Sequence, residues 1–303
     1  MTITVASGKG GAGKTSIAAA LAASMGSACI VADCDVDAAN SSIALHAELR
    51  ESSPYFAGSG YKIKPSLCIG CGRCITACRF KAIREDEASR KFLIVEELCE
   101  RCGACTDHCP VNAIESFTKE AGTLLASDSP FGMVLIHAKL VPGEDTSGKL
   151  VNQVRRRADS INTNNSVIIV DAPPGIGCPV IASLSGADIV LLVVDSSISG
   201  LRDSLRLSEL VAGMNKRIIA ILNKTGLNEE IDTRVRTAIS LASLPIIGEI
   251  PFDSSLRSVE ERGLTWIDVD SEAGKKAKDA IRAVKGNIAM QAVDSQASFI
   301  PCG

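Results

Sequence analysis

Short runs of apolar residues recur along the chain and are the first guide to its fold. They lie at Thr2–Ala6, Ala28–Ala32, Met133–Leu140, Val167–Val170, Ile189–Val194, Ile218–Leu222 and Ile246–Ile250. Runs of this length without a polar face are typical of strands that are buried on both sides of a sheet. The pattern therefore predicts a set of buried β-strands.

Segments with helical periodicity separate several of these strands. Ser16–Met25 is rich in alanine, and both Leu201–Ala212 and Ile231–Ala242 repeat apolar residues at helical spacing. Buried strands that alternate with amphipathic helices indicate a mostly parallel sheet with helices on both faces. The predicted fold class is α/β.

The segment from about Gly58 to Phe117 interrupts this alternation. It is rich in glycine, cysteine and charged residues, and its two halves are similar, since Ile69–Cys74 is echoed by Glu100–Cys105. We interpret it as a small inserted α+β domain that contains an internal duplication. The predicted domains are an α/β domain at 1–57 and 119–303 and the insert at 58–118.

Composition and charge narrow the possible environments. The chain has 303 residues, 46% of them hydrophobic, and a formal net charge of -3 without a long basic run. This balance argues against bulk binding to nucleic acid or to an acidic membrane. The apolar runs are too short to span a bilayer, and the alanine-diluted Glu272–Ile288 segment is better explained as a helix on the sheet than as a membrane-targeting helix. No signal peptide precedes the first strand, so we expect a cytoplasmic protein.

A glycine-rich loop follows the first predicted strand. Gly8–Thr15 fits the pattern GxxxxGK[ST] and lies between a strand and a helix, which is the context that a phosphate-binding loop requires. Its backbone N–H groups would bind phosphate oxygens, Lys14 would neutralise their charge, and the Thr15 hydroxyl would bind Mg²⁺. The predicted nucleotide-binding residues of this loop are Gly8, Lys9, Gly10, Gly11, Ala12, Gly13, Lys14, Thr15 and Ser16.

Aspartates follow two of the predicted strands. Asp33, Asp35 and Asp37 come after the second strand, and Asp171 closes the strand at Val167–Val170. Open α/β sheets bind ligands at the carboxyl ends of their strands, so these side chains are candidates for the same site. Asp33 and Asp37 are equally well explained as ordinary loop carboxylates.

The loop resembles the deviant Walker A loop, KGGxGK[ST], of the family that includes MinD, ParA, Mrp and the nitrogenase iron protein. By that resemblance Lys9 reaches across a dimer to the partner's nucleotide, and Asp35 is the switch I aspartate that positions the attacking water. Asp171–Gly175 resembles Walker B running into switch II, so that Asp171 holds Mg²⁺ and the Gly175 N–H senses the γ-phosphate. The resemblance implies an ATPase that forms a homodimer or a heterodimer with a paralogue.

The same resemblance assigns residues to the remaining parts of the site. Asn223–Lys224 and Pro251–Asp253 are similar to the loops that recognise the base, although both are also compatible with simple turns. ATP is expected rather than GTP, because Gly226 stands where GTP-binding relatives carry an aspartate. The assignments are Lys9, Lys14 and Asp35 for catalysis; Thr15, Asp35 and Asp171 for Mg²⁺; Pro174 and Gly175 for switch II; and Asn223, Lys224, Pro251 and Asp253 for the base.

Eight of the twelve cysteines form two runs with the spacing CxxCxxCxxxC, at Cys68–Cys78 and Cys99–Cys109. This spacing lets three thiolates converge on one four-iron core, so two [4Fe–4S] clusters are predicted. Zinc is the alternative, but the doubled spacing of two, two and three residues argues against it. A reducing cytoplasm argues against disulfides.

The runs resemble bacterial two-cluster ferredoxins, in which the fourth cysteine of each run binds the other cluster. That resemblance implies one cluster held by Cys68, Cys71, Cys74 and Cys109, and a second held by Cys78, Cys99, Cys102 and Cys105. The second run ends in Cys109-Pro110 as the pattern expects, but the first ends in Cys78-Arg79. Arg79 is expected to raise the potential of the nearby cluster.

Two further residues have open interpretations. Cys178 follows switch II, where the nitrogenase iron protein has a cluster-binding cysteine, so it is either a buried structural cysteine or part of a metal site shared across the dimer. His108, next to Cys109, is better explained as a neighbour of the cluster than as a ligand.

Together these features resemble MinD-like ATPases with an inserted ferredoxin domain, a group sometimes called cobyrinic acid diamide synthase-like. The chain shows no glutaminase region of the kind that the amidating relatives need. Three functions stay open: an ATPase coupled to electron transfer, an ATPase that assembles or delivers metallocofactors, and a MinD/ParA-type positioning ATPase. The expected partner is a redox or metallocofactor client protein. Because the insert follows switch I, we also hypothesise that nucleotide state reorients it through residues 41–67; a loosely tethered insert is the alternative.

Overall fold

A computed structural model describes residues 1–36, 40–86, 89–100, 102–142, 148–257, 259 and 262–297, without the side chains of 57–59, 119 and 294–297. The candidate loop carboxylate Asp37 lies outside the described residues. The chain divides into two compact units. The first consists of Met1–Ser53 and Thr123–Gly303, and the second of Pro54–Gly122.

Strands and helices alternate through most of the chain. The strands are β1 (Thr2–Ala6), β2 (Cys29–Asp33), β3 (Glu48–Ile63), β4 (Ile83–Asp86), β5 (Lys91–Ile94), β6 (Ile114–Asp128), β7 (Val134–Leu140), β8 (Val167–Asp171), β9 (Ile189–Asp195), β10 (Arg217–Thr225) and β11 (Ile246–Pro251). The helices are α1 (Lys14–Met25), α2 (Ser41–Ala44), α3 (Arg73–Ala77), α4 (Ala104–Asp107), α5 (Gly148–Ile161), α6 (Cys178–Leu184), α7 (Ile198–Gly213), α8 (Glu229–Leu241) and α9 (Glu272–Ala297).

The central sheet has the strand order β11-β10-β9-β1-β8-β2-β7-β6-β3 among the described residues. Each pair of neighbours from β11 to β7 runs parallel. Parallel strands direct their carboxyl ends to one edge of the sheet, which is where such folds bind ligands. The predicted α/β fold with a mostly parallel sheet is confirmed.

The central parallel strands, such as β9, are buried on both faces because their residues are apolar. In β9, Leu191 and Val193 pack in a core formed with α1 and α9, whereas Leu192 and Val194 pack in a second core with α6, α7 and α8. Alternate residues of a strand point to opposite faces, so one continuous apolar run supplies both cores. Each fully buried side chain of this kind contributes roughly 1.5–3 kcal/mol.

The second unit has a much smaller core. An antiparallel hairpin of β4 and β5 accompanies the short helices α3 and α4. Its buried core residues are Cys74, Ile83, Phe92, Cys105 and Ile114. Small domains with few core residues commonly depend on metals or cross-links for stability.

The long strands β3 and β6 are not predicted by the apolar pattern. Both contain glycine and several charged or polar residues, and β3 also contains Pro54, so their sequences are closer to those of loops. Their backbones are in strand conformation because they pair at one end of the sheet. Helix α9 is longer than the predicted segment and ends at Ala297. Among the described residues, no helix is long and apolar enough to cross a membrane.

Candidate functional site

A cavity of about 1000 Å³ lies at the carboxyl ends of the parallel strands in the first unit. A volume of this size is enough for a nucleoside triphosphate. Twelve of the residues predicted from the sequence line it: Gly10, Gly11, Gly13, Lys14, Thr15, Ser16, Asp35, Pro174, Asn223, Lys224, Pro251 and Asp253. Its wall also includes Asn40, Ile43, Arg257 and Trp266, which the sequence motifs do not identify.

The phosphate loop joins β1 to α1 in a conformation that requires glycine. Gly13 has φ of 92°, and a Cβ atom there would lie 2.4 Å from the Asn223 amide nitrogen. Helix α1 begins at Lys14, so its unpaired backbone N–H groups are available at the cavity. The Lys14 side chain also lines the cavity although the residue is only 5% exposed. A buried ammonium group is stable only beside an anion, which fits a phosphate.

Asp171 has the properties of a divalent-cation ligand. Its Oδ2 atom accepts hydrogen bonds from Thr15 Oγ1 at 2.6 Å and Ser41 Oγ at 3.3 Å. Its buried Oδ1 atom has no hydrogen-bond partner among the described residues. Burial raises the pKa of Asp171 to about 6, although Thr15 and Lys14 oppose that shift. An unpartnered carboxylate oxygen beside a threonine hydroxyl matches the oxygen ligands that Mg²⁺ prefers.

Asp33 holds the loop that carries Asp35. The two oxygens of Asp33 accept hydrogen bonds from the backbone N–H groups of Asp35 at 3.0 Å and Ser41 at 3.2 Å. Burial, together with the neighbouring charge of Asp171, raises the pKa of Asp33 well above its usual range. Asp33 is therefore a buried anchor, whereas Asp35 lines the cavity.

Lys9 is bound within its own subunit. Its ammonium group lies 2.9 Å from Ser197 Oγ, 3.2 Å from Ser199 Oγ and 3.3 Å from Asp195 Oδ1. Ser197 also caps α7 by accepting a hydrogen bond from the Gly200 N–H. The motifs do not identify Asp195, although it ends the buried strand β9 just as Asp171 ends β8, and that position is the signal that could have found it.

The charge of Asp195 is stabilised by its neighbours. Burial acts to raise its pKa, but hydrogen bonds from Ser197 and Lys224 and the positive charges of Lys224 and Lys9 outweigh burial and lower it. Asp195 therefore stays ionised and pairs with two lysines at once.

Gly175, which the sequence predicts to belong to switch II, is connected to the phosphate loop by Ser7. The Gly175 N–H donates to the Ser7 carbonyl at 3.1 Å, and the Ser7 hydroxyl donates to the Lys9 carbonyl at 2.7 Å. Pro174 lines the cavity next to this link. The Gly175 N–H must leave Ser7 before it can donate to a γ-phosphate.

Asn223 and Lys224 brace the phosphate loop from the other side. The Asn223 amide donates to the Ala12 carbonyl at 2.8 Å, and Lys224 Nζ donates to the Gly11 carbonyl at 2.6 Å. The oxygen of Asn223 accepts from the Lys224 N–H, so both ends of this amide are engaged. Asp253 caps the turn that follows it by accepting the Ser255 N–H at 2.8 Å.

Trp266 closes the same end of the cavity. Its indole N–H donates to the Leu256 carbonyl at 3.1 Å, and its ring lies 3.1 Å from where a Cβ of Gly13 would be. It is the only tryptophan of the chain. A short helical turn, Trp266–Asp268, with a capping box between Thr265 and Asp268, positions it there. Lone aromatic residues carry no motif, so the sequence offers no signal for this role.

The second unit contains two small cavities lined by cysteines. The first includes Cys68, Cys71, Cys74 and Cys109, and the second includes Cys78, Cys99, Cys102 and Cys105. Each cavity therefore takes three cysteines from one run and the fourth from the other. Both cavities are small, about 20 Å³ each, compared with about 1000 Å³ for the cavity of the first unit.

The described residues form no ready-made site for a single metal ion. No group of three or more histidine, cysteine or acidic side chains among the described residues has the geometry of a metal-ion site. Each cavity is lined by four cysteines, which is the number of thiolates that a four-iron core takes and that a zinc ion also takes.

Cys178 and His108 lie outside these four-cysteine sets. Cys178 is exposed and begins α6, which does not match the interpretation as a buried structural cysteine. No metal-ion site includes it among the described residues. His108 is exposed, contacts the Ala104 carbonyl at 2.9 Å through Nδ1, and lines the first cysteine cavity.

The chain matches a known family over most of its length. Residues 3–266 correspond to the CobQ/CobB/MinD/ParA nucleotide binding domain. The chain belongs to this family. An uncharacterised protein of Methanocaldococcus jannaschii is 31% identical over 94% of this chain and 96% of its own length. The septum site-determining protein MinD of Buchnera aphidicola is 24% identical over 94% of this chain and 90% of its own.

Solved structures support the same fold for this family member. MinD of Pyrococcus horikoshii, complexed with Mg-ADP, has a TM-score of 0.61 at 18% identity and covers 96% of this chain and 99% of its own. MinD in the MinC:MinD cell division complex of Aquifex aeolicus has a TM-score of 0.56 at 20% identity and covers 94% and 96%. The family establishes a nucleotide-binding domain of the MinD/ParA type.

Proposed function

We propose that this chain is a dimerising ATPase that carries two [4Fe–4S] clusters and couples nucleotide state to electron transfer. The observation that carries the proposal is the presence, in one chain, of the Asp171–Thr15 pair beside a phosphate loop and of two cavities lined by four cysteines each. The family match supports the nucleotide part. The cysteine geometry is the support for the redox part.

The nucleotide site acts by neutralising and orienting the phosphates. Lys14 and the backbone N–H groups at the start of α1 bind the β- and γ-phosphates. Thr15, Asp35 and Asp171 hold Mg²⁺, which supplies charge neutralisation when bound. Asp35 accepts a hydrogen bond from the attacking water and aligns it with the γ-phosphate.

Lys9 makes hydrolysis depend on a second subunit. In the single chain its ammonium is bonded to Ser197, Ser199 and Asp195. When two nucleotide-bound copies, or this chain and a paralogue, close on each other, Lys9 exchanges these partners for the γ-phosphate in the opposite subunit. A second cation there stabilises the charge of the transition state, so hydrolysis is slow without the dimer.

The cysteine cavities are the proposed electron-transfer sites. Cys68, Cys71, Cys74 and Cys109 hold one cluster, and Cys78, Cys99, Cys102 and Cys105 hold the other. When bound, the clusters supply one-electron chemistry. Cys74 and Cys105 are the most buried members, so they shield each site from water.

Metal analysis of anaerobically purified protein tests the cluster part. We expect about eight irons and eight acid-labile sulfides per chain, because each cluster contains four of each. Cys71→Ser should lower both contents, whereas Cys178→Ser, the control, should leave them unchanged. Stoichiometric zinc without sulfide would refute the redox proposal and leave the ATPase.

Light scattering with and without nucleotide tests the dimer. We expect Mg-ATP to convert monomers into dimers and Mg-ADP to leave monomers. Lys9→Ala should stay monomeric with ATP while it still binds nucleotide, and Lys276→Ala, which removes an exposed lysine of α9, should behave as the wild-type protein does. If Lys9→Ala formed an ATP-dependent dimer as stable as that of the wild-type protein, Lys9 would have no role in dimerisation.

A positioning ATPase is the second candidate function, and the resemblance to MinD proteins favours it. It predicts a nucleotide-dependent distribution on the membrane or nucleoid that survives loss of the cluster cysteines. Delivery of metallocofactors is the third candidate, and transfer of iron and sulfide to an apo-acceptor would support it. Stable clusters with a low, reversible potential favour electron transfer.

A further inference from the structure

The second unit contains two similar halves, so each half can be compared with the other at equivalent positions. The two runs have the same cysteine spacing, and α3 and α4 each follow a left-handed glycine, Gly72 at φ 73° and Gly103 at φ 76°. Each half therefore shows which side chains the shared scaffold tolerates. A residue that differs between equivalent positions is not required to build the cavity.

Most of these differences change charge in one direction. Between residues 69 and 84, the first half is the more positive at six equivalent pairs: Ile69 and Glu100, Arg73 and Ala104, Thr76 and Asp107, Arg79 and Pro110, Lys81 and Asn112, and Arg84 and Glu115. Two pairs run the other way, Gly70 with Arg101 and Ala77 with His108. The duplication has therefore retained the scaffold while the charge of its halves diverged.

Ile69 and Cys71 line the first cysteine cavity, and the segments next to it carry two exposed arginines. We define this basic rim as Ile69, Cys71, Arg73 and Arg90. Ile69 is 64% exposed, and the other three residues are also exposed. The Arg90 carbonyl lies 3.1 Å from where a Cβ of Gly70 would be, so the hairpin brings Arg90 beside the cysteine loop.

The two arginines of the basic rim are available to a partner. Neither Arg73 nor Arg90 forms an ion pair or a side-chain hydrogen bond with another described residue. The nearby Asp86 accepts a hydrogen bond from Ser89 and faces Lys91 across the hairpin. Two exposed guanidinium groups next to an exposed cysteine thus produce a local positive field.

The second cavity has the opposite character. Glu100 lines it at the position equivalent to Ile69, and Glu96 and Glu97 are exposed in the turn before Cys99. An acidic protein would be repelled from this cavity and attracted to the basic rim.

We propose that the basic rim is the docking surface for an acidic electron-carrier protein. Arg73 and Arg90 attract and orient the acidic surface of the carrier, and Ile69 supplies a desolvated contact beside Cys71. The carrier then exchanges one electron at the site of Cys68, Cys71, Cys74 and Cys109: whichever partner is reduced loses the electron, the other gains it, and no covalent bond changes. The proposal rests on the proposed function, because it requires a cluster at that site.

The test measures binding of an acidic flavodoxin to the anaerobic, full-length protein by fluorescence anisotropy. The variant is Arg73→Ala with Arg90→Gln; alanine is the residue that the second half carries at the position of Arg73. We expect the Kd to rise about tenfold at low ionic strength and the difference to disappear at high salt, as for electrostatic docking. Arg234→Gln, which removes an exposed arginine of α8, should change the Kd less than twofold.

Further measurements distinguish a wrong docking surface from a wrong proposed function. A Kd for flavodoxin that the double variant leaves unchanged would overturn the docking surface. So would tighter binding of a single-stranded oligonucleotide with the same sensitivity to Arg73 and Arg90, because the rim would then belong to nucleic acid. Iron and sulfide are measured on the same samples: a protein without clusters refutes the proposed function, whereas full clusters with unchanged binding refute only the docking.

Discussion

Asp171 is the residue on which the nucleotide site most depends. Its carboxylate is buried, close to Asp33, and leaves one oxygen without a protein partner. Without a cation, burial of this charge is costly, and the pKa of about 6 measures that cost. The site is thus unfavourable when empty and favourable when Mg²⁺ is bound.

The raised pKa makes stability depend on pH. The folded protein binds a proton to Asp171 more tightly than the unfolded chain does, so apo stability falls as pH rises from about 4 to 6 and stays lower above that range. Asp171→Asn imitates the protonated acid. We expect it to stabilise the apo protein by roughly 2–3 kcal/mol at pH 7.5 and by about 1 kcal/mol or less at pH 4.5, and to weaken Mg-ATP binding.

Urea unfolding followed by Trp266 fluorescence at both pH values measures this effect. The control is Asp159→Asn, an exposed residue of α5, which should change stability by less than about 0.5 kcal/mol. In the wild-type protein, affinity for Mg-ATP should fall as pH drops through 6, because protons compete with the cation. Lower stability of apo Asp171→Asn at pH 7.5 would contradict this account.

At the scale of elements, the close packing of the phosphate loop on α7 explains one of its glycines. A Cβ at Gly8 would lie 2.2 Å from the carbonyl carbon of Asp203, whereas one at Gly10 would meet no atom within 4 Å. At Gly8, the backbone of α7 leaves no space for a side chain. At Gly10, a methyl group would meet no neighbouring atom.

Alanine substitutions at these two glycines should therefore have different effects on stability. Gly8→Ala is expected to destabilise the protein by about 3 kcal/mol or more, because it forces the loop away from α7. Gly10→Ala should change stability by less than about 0.5 kcal/mol. Urea unfolding of the two nucleotide-free variants compares them directly, and equal stability would show that the loop and α7 separate easily.

The sequence predicts the strands whose apolar residues are buried. It does not predict the strands that form only because they pair with a neighbouring strand. β9 and β10 can be located from composition alone, because parallel strands covered on both faces must be apolar. β3 cannot be located in this way, because its glycines and charged residues are as compatible with a loop as with a strand at the edge of a sheet. The site residues divide in the same way. Gly13 and Thr15 belong to a motif with a fixed spacing, whereas only the fold brings Trp266 to the cavity and Asp195 to Lys9 and Lys224.

At the scale of the whole molecule, the two units differ in how they are stabilised. The first has large apolar cores on both faces of its sheet, and the second has a small core cluster that, among the described residues, includes the cysteines Cys74 and Cys105. If clusters fill the cysteine cavities, the second unit draws much of its stability from them.

Removal of iron should therefore unfold the second unit while the first unit stays folded. After anaerobic chelation we expect backbone amides of 54–122 to lose hydrogen-exchange protection, while the first unit keeps its protection. Trp266 lines the nucleotide cavity, so its fluorescence should still respond to Mg-ATP. Mock-treated protein is the control. Unchanged protection of 54–122 after complete loss of iron would show that the second unit folds without clusters.

The exchange of the fourth cysteine between the two halves makes each half incomplete without the other. Cys109 lines the cavity of the first run, and Cys78 lines that of the second. A half on its own could complete its set of four only with a thiol from another chain. The arrangement is therefore that of a domain-swapped pair, and the covalent link between the halves replaces an encounter between two molecules with a contact inside one.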